Sequence, residues 1–273
     1  MPATFRFGIG IRVLKSAERF HAKVRRFADL GYDVVHLPDH LGAPAPFPAA
    51  IAAADAAPAI RIGTYVLNSA FYSPALLARD ALTVDTLSDG RLELGLGTGY
   101  VREEFDAAGI PYPSAGARVD HLERTSAYIK QHAPSIPLMV AGNGHRVLTV
   151  AAKYADIIGL GATVARSEDD DPLAERVAIL REAAGRRFDE LELNLAITAV
   201  PTDSTGIPDL TLTRAYAPDA PDARLLSMPS VLSGTPRDIA DKLLDMRERY
   251  GVSYFIVQDY HGEYFVEAMN LLR

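Results

Sequence analysis

Residues 79–100, RDALTVDTLSDGRLELGLGTGY, read as a helix, a tight turn and a strand that closes on a glycine-threonine-glycine lip. Ser73 and Pro74 open the helix, and Leu77, Ala81, Val84 and Leu87 recur at three-and-four spacing along its expected inner face. Ser88-Asp89-Gly90 stops it with residues suited to a tight turn. The strand Leu92–Gly97 then runs into Gly97-Thr98-Gly99-Tyr100, where backbone lacking Cβ atoms can approach a flat ligand closely. This order suits a parallel barrel, which seats its ligand at the C-terminal ends of its strands.

Outward from this unit, short apolar runs alternate with helical patterns. Candidate strands are Phe5–Ile11, Val34–Pro38, Arg61–Leu67, Leu92–Gly97, Pro137–Gly142, Asp156–Leu160, Leu191–Thr198 and Tyr254–Gln258. They are Leu-rich or β-branched and often apolar on both faces, as parallel strands under helices must be. Eight is the barrel number. Phe20, Val24 and Phe27 mark a helical face between a Ser16 N-cap and a Gly31 stop. Thr235-Pro236 starts a late helix with Ile239, Leu243, Met246 and Tyr250 inward and Gly251 at its end. The expected fold is α/β, a single (β/α)8 TIM barrel over residues 1–273 with its site at the C-terminal face. Residues 203–235, rich in Pro, Asp and Gly, predict a lid or a disordered segment.

Composition narrows the partners. A chain of 273 residues, 48% hydrophobic and 23% charged, can bury a sizeable core as one large domain or two small ones. The net charge of −7, with acids and bases interleaved, argues against a nucleic acid or an anionic membrane surface as partner. The absence of cysteine excludes disulfides, thiolate nucleophiles and cysteine metal sites. MPATFRFGIG carries no apolar signal-peptide core, and AIAAADAAPAI is interrupted by Asp55 and Pro58, so no membrane span is predicted. A cytoplasmic protein acting on a small-molecule substrate is expected.

Candidate chemistry falls at the strand ends. In VVHLPDHL, Asp39 and His40 pair a carboxylate with an imidazole, able to bind, orient or protonate a ligand; a turn cap and an ordinary loop histidine are the plainer alternatives. Thr64 to Pro74, TYVLNSAFYSP, suggests a bulge, with Phe71 and Tyr72 as pocket walls or merely parts of a long loop. Thr98 offers a hydroxyl and Tyr100 a phenol or a stacking face. Ala141-Gly142-Asn143-Gly144-His145 joins a strand end to a helix start and so offers backbone N–H groups to an anion, unless Asn143 simply caps the helix. His36, Asp39, His40, Asp259 and His261 lack the spacing of a metal barrel, because Leu37-Pro38 disturbs the ladder between the first two histidines. No metal is expected.

Taken together, LPDHL, the stretch from Ile62 to Tyr100 and VAGNGHRVLTVAAKYADIIGL resemble the luciferase-like monooxygenase superfamily, and within it the branch that uses coenzyme F420, an 8-hydroxy-5-deazaflavin. The resemblance implies a flavin or deazaflavin held at the C-terminal face. Asp39 and His40 would flank the ring, and a non-prolyl cis peptide at Tyr65-Val66 would form, with Leu67, a bulge behind it. Thr98 and Gly99 would line the ring or its side chain, and Ala141, Gly142, Asn143, Gly144 and His145 the phosphate. It also implies a homodimer. His40 or Tyr100 would manage a proton, with Asp39 orienting, while a hydride passes between the deazaflavin and an enone, carbonyl or alcohol. An FMN-dependent monooxygenase and a non-catalytic flavin-binding barrel are the alternatives. Related sugar-phosphate dehydrogenases carry a glutamate where this chain has Tyr100, and a tryptophan after the Asp-His pair where this chain has none. Sugar-phosphate oxidation is therefore not expected. Glu103 or Glu104 is a candidate replacement carboxylate, or part of a solvated helix start. A shortened insertion before the fifth strand should leave that side of the pocket more open.

Overall fold

The computed structural model describes residues 4–161, 164–165, 167 and 170–273. The chain begins β1 (Arg6–Gly10), α1 (Ala17–Asp29), β2 (Val34–Leu37), α2 (Pro46–Ala56), β3 (Arg61–Thr64), β4 (Leu67–Asn68) and α3 (Pro74–Leu87). It continues with β5 (Leu92–Gly97), α4 (Arg102–Ala107), α5 (Ala115–His132), β6 (Leu138–Ala141), α6 (His145–Tyr154), β7 (Ile157–Leu160) and α7 (Pro172–Ala184). Then come β8 (Glu192–Ala196), α8 (Thr211–Tyr216), α9 (Asp222–Ser227), α10 (Pro236–Tyr250), β9 (Val252–Gln258) and α11 (Gly262–Leu272). Every pairing between these strands is parallel, and the β3–β5 contact closes the sheet into a ring. β3 and β4 both pair with β5 and form two halves of one stave, so the barrel has eight. The continuous strand expected over residues 61–67 is divided at the cis Tyr65–Val66 bond.

Helix ends follow local chemistry. The Ser16 hydroxyl accepts from the Arg19 N–H at 3.3 Å, and Thr235 and Asp238 form a reciprocal capping box before Pro236. Gly251, at φ +79°, ends α10 in the left-handed conformation. Ile239, Leu243, Met246 and Tyr250 are buried as the spacing requires. In α3 the inner face runs Leu77, Ala81, Val84 and then Ser88, whereas Leu87 is 62% exposed. Four residues beyond Val84, not three, is the step that returns to this face at the helix end.

Apolar side chains on the outer faces of the staves pack against the helices in one large core. Inside the ring, Val34, Met139, Ile157, Tyr254 and Ile256 form a smaller one. The N-terminal ends of the staves supply charge instead. Glu93, 2% exposed, is bound by Arg6 and by the Arg61 Nε at 2.7 Å, while Arg6 also reaches Glu192 at 2.5 Å. A buried carboxylate is tolerated because cations neutralise it. Residues 203–235 fold: α8 and α9 cover a satellite core of Ala199, Leu225, Met228 and Val231, and the Thr213 hydroxyl donates to Thr198 at 2.8 Å. Among the described residues, no helix is long and apolar enough to cross a membrane.

Candidate active site

The C-terminal ends of the staves surround a cavity of about 340 Å³. One wall is explained by the glycines of β5. Gly95, Gly97 and Gly99 lie at every second position and so share a face. A Cβ would stand 2.1 Å from the Thr64 carbonyl oxygen at Gly95, 2.8 Å from Val66 at Gly97 and 2.1 Å from the Asn68 Oδ1 at Gly99. Gly99 also adopts φ +69°. The glycine row is thus a trough for the bulge at residues 64–68, and the lip serves the neighbouring stave as well as any ligand.

Asp39 braces the same bulge. Its Oδ2 accepts from the Asn68 N–H at 3.0 Å and meets the Tyr72 hydroxyl, while burial raises its pKa. It is not the hydrogen-bond partner of His40. That partner is Glu104, whose Oε1 lies 2.9 Å from His40 Nδ1 and 3.2 Å from the Leu41 N–H. A carboxylate only accepts, so Nδ1 carries the hydrogen and Nε2 is left to give or take a proton. The His40 and Tyr100 rings meet edge to face, with centroids 6.2 Å apart. Tyr100 is 64% exposed; burial and the neighbouring Tyr216 hydroxyl raise its pKa.

The glycine turn after β6 sits on the next wall. The Gly142 N–H donates to the Gly159 carbonyl at 3.0 Å. Asn143 Oδ1 accepts from the Gly161 N–H at 3.0 Å instead of capping the helix. Gly144 takes the N-cap position of α6 and has no side chain with which to cap the first-turn N–H groups.

The cavity therefore gathers Asp39, His40, Tyr65, Val66, Leu67, Thr98, Gly99, Tyr100, Ala141, Gly142 and Asn143, while Gly144 and His145 lie outside its lining. Phe71 and Tyr72 also lie outside it, packed on Phe105 and Phe47. His36 occupies the barrel interior with Nε2 2.5 Å from the Tyr254 hydroxyl, and burial lowers its pKa to about 3. Gly8 and Gly63 make room for its ring, which a Cβ would approach to 2.8 and 2.4 Å. Asp259 pairs with Lys23, and His261 is buried. Gln258, from the expected end of the last strand, lines the cavity, and so do Arg12, Leu212 and Tyr216, which were not expected there. Arg12 sits just past the first strand, a signal the strand boundary already carried. Tyr216 comes from a distant segment with no local signature.

The residues present fit a flat cofactor. Gly10, Gly97, Gly99, Gly142, Gly159 and Gly161 leave much of the wall free of side chains, and the uncapped α6 terminus lies beside it for an acidic group.

A sequence profile of the family described as "Luciferase-like monooxygenase" matches residues 4–205. An uncharacterized protein of Mycobacterium tuberculosis is 28% identical over 148 residues, 46% of this chain and 50% of that protein. The chain thus spans about half the length of this relative. An F420-dependent glucose-6-phosphate dehydrogenase of Kribbella flavida is 29% identical over 226 residues, 71% of this chain and 67% of that protein. In fold, the chain resembles the coenzyme F420-dependent tetrahydromethanopterin reductase of Methanopyrus kandleri, with a TM-score of 0.77, 17% identity and coverage of 99% of this chain and 100% of the other.

Proposed function

The chain belongs to the luciferase-like monooxygenase family, and from that premise we propose that it is a coenzyme F420-dependent oxidoreductase acting on a small enone, carbonyl or alcohol. The observation that carries this reading is the His40–Glu104 pair on the cavity wall. A deazaflavin bound here would supply or accept a hydride. The chain's own task is then the proton. Reduction of a carbonyl leaves an oxyanion that needs one, and oxidation of an alcohol releases one. Glu104 fixes the His40 ring through Nδ1 and leaves Nε2 for that transfer. Asp39 acts at one remove, holding the Asn68 backbone and hence the bulge. Thr98, Gly99 and the turn at 141–143 serve to seat the ring and its acidic tail.

The Kribbella relative's sugar-phosphate activity is not carried over. Tyr100 stands where such enzymes have their acid, and Glu104 is committed to His40 and Leu41. Anaerobic fluorescence titration of the purified protein with coenzyme F420 and with FMN tests the proposal. Saturable binding of the deazaflavin, with hydride exchange that is lost in His40→Ala, is expected. Tight FMN binding with oxygen consumption and no deazaflavin binding would overturn it in favour of a flavin monooxygenase. Deazaflavin binding without turnover on enones, ketones or alcohols would favour a binding protein.

A further inference from the structure

The cavity carries two donor side chains that the rest of the described chain does not use. Arg12 follows β1 and Gln258 ends β9, and these strands pair with Gly10 opposite Gln258. Both residues line the cavity. Among the described residues, neither side chain has a hydrogen-bond partner and Arg12 has no carboxylate partner. The acids nearby are already engaged. Glu104 holds His40, Asp39 holds Asn68, Asp259 pairs with Lys23 and Asp209 accepts from Thr211 at 2.6 and 2.9 Å. In a chain of net charge −7, this leaves on the cavity wall a cation with no carboxylate partner among the described residues.

The neighbouring surface is aromatic. Tyr100 and Tyr216 meet through their hydroxyls, one from the lip after β5 and the other from α8. Leu212, also on α8, adds an apolar contact to the same wall.

We propose that this wall is the recognition end of the substrate site, and that the substrate bears a carboxylate, taken by Arg12 and Gln258, on a planar unsaturated body packed against Tyr100 and Tyr216. The guanidinium presents paired N–H groups that match two carboxylate oxygens, and the Gln258 amide adds a further donor. The aromatic faces accept a conjugated body and reject a fully hydroxylated one. The inference rests on the proposed oxidoreductase only in placing the reacting carbon near His40.

Calorimetric titration of the protein, loaded with whichever cofactor it binds, with trans-cinnamate and with its neutral methyl ester tests the assignment. The acid should bind roughly tenfold more tightly, the scale of one charge-assisted hydrogen-bonded pair. Arg12→Gln should reduce the acid to the level of the ester while leaving the ester and the cofactor affinity unchanged. Arg12→Lys, which keeps the charge, should retain part of the preference. Circular dichroism establishes that both variants fold. Equal binding of acid and ester, or no binding of the acid at about 10 mM, would overturn the proposal. So would an Arg12→Gln variant that loses cofactor affinity but not the preference for the acid, because Arg12 would then hold an acidic group of the cofactor. A preference for cinnamate in a protein that takes FMN and not the deazaflavin would sustain this inference while refuting the cofactor assignment.

Discussion

At the residue scale, two carboxylates divide the work that the sequence offered to one. Asp39 adjoins His40 in the chain, yet its side chain turns to the bulge and accepts from Asn68. Glu104, from α4, reaches His40 instead. The distinction is testable without a substrate. Long-range 1H–15N spectra should show His40 protonated on Nδ1 in the native protein and in Glu104→Gln, whose amide oxygen still accepts. Glu104→Ala should mix the two tautomers, because nothing then fixes the hydrogen. An unchanged spectrum in Glu104→Ala would remove Glu104 from the role of positioning residue. The signal for Glu104 was in the sequence as one of two acids after the lip. Choosing between Glu103 and Glu104 required the direction of a short helix, which spacing alone does not supply.

At the element scale, the glycine row of β5 is the least replaceable feature. Gly95 faces a backbone oxygen, which cannot swing away as a side chain can. Gly95→Ala should therefore cost at least about 3 kcal/mol, the upper end for overpacking, and lower the melting temperature by several degrees. Gly144→Ala meets open space at an ordinary φ and should change the melting temperature little. Similar losses in the two variants would show that Gly95 is not the point at which the bulge rests. The alternation of glycine at 95, 97 and 99 was legible as one bare strand face. What fills that face was not, because the bulge lies in another stave some thirty residues earlier.

At the scale of the whole molecule, two histidines are stored neutral. Burial lowers His36 to about 3 and His261 to about 4. Above the unfolded-state value near 6.5 their contribution to stability is complete. As pH falls through that value, the unfolded chain takes up protons that the folded chain refuses, and stability declines. Each group should cost about 1.4 kcal/mol per pH unit until its folded pKa is approached. Melting temperature measured from pH 7.5 to 4.5 should hold level and then fall below about pH 6.5, and His36→Gln should flatten the fall. A level profile down to pH 4.5 in the native chain would contradict the burial of both imidazoles in their neutral form.

The sequence by itself determined the stave count, most helix faces and caps, and where along the chain much of the cavity lining lies. All of these depend on periodicity, turn chemistry and strand ends, which are local properties. It also placed residues 203–235 as a distinct segment, leaving open whether they cover the site or stay disordered. Only the tertiary structure decided that this segment folds and brings Tyr216 to Tyr100. The same closure turned Asp39 from His40 to Asn68, gave His40 to Glu104, and left Arg12 and Gln258 facing a cavity without partners among the described residues. These are contacts between side chains far apart in sequence. Their geometry is set by the closure of the ring and the packing of its loops, which no spacing within one segment encodes.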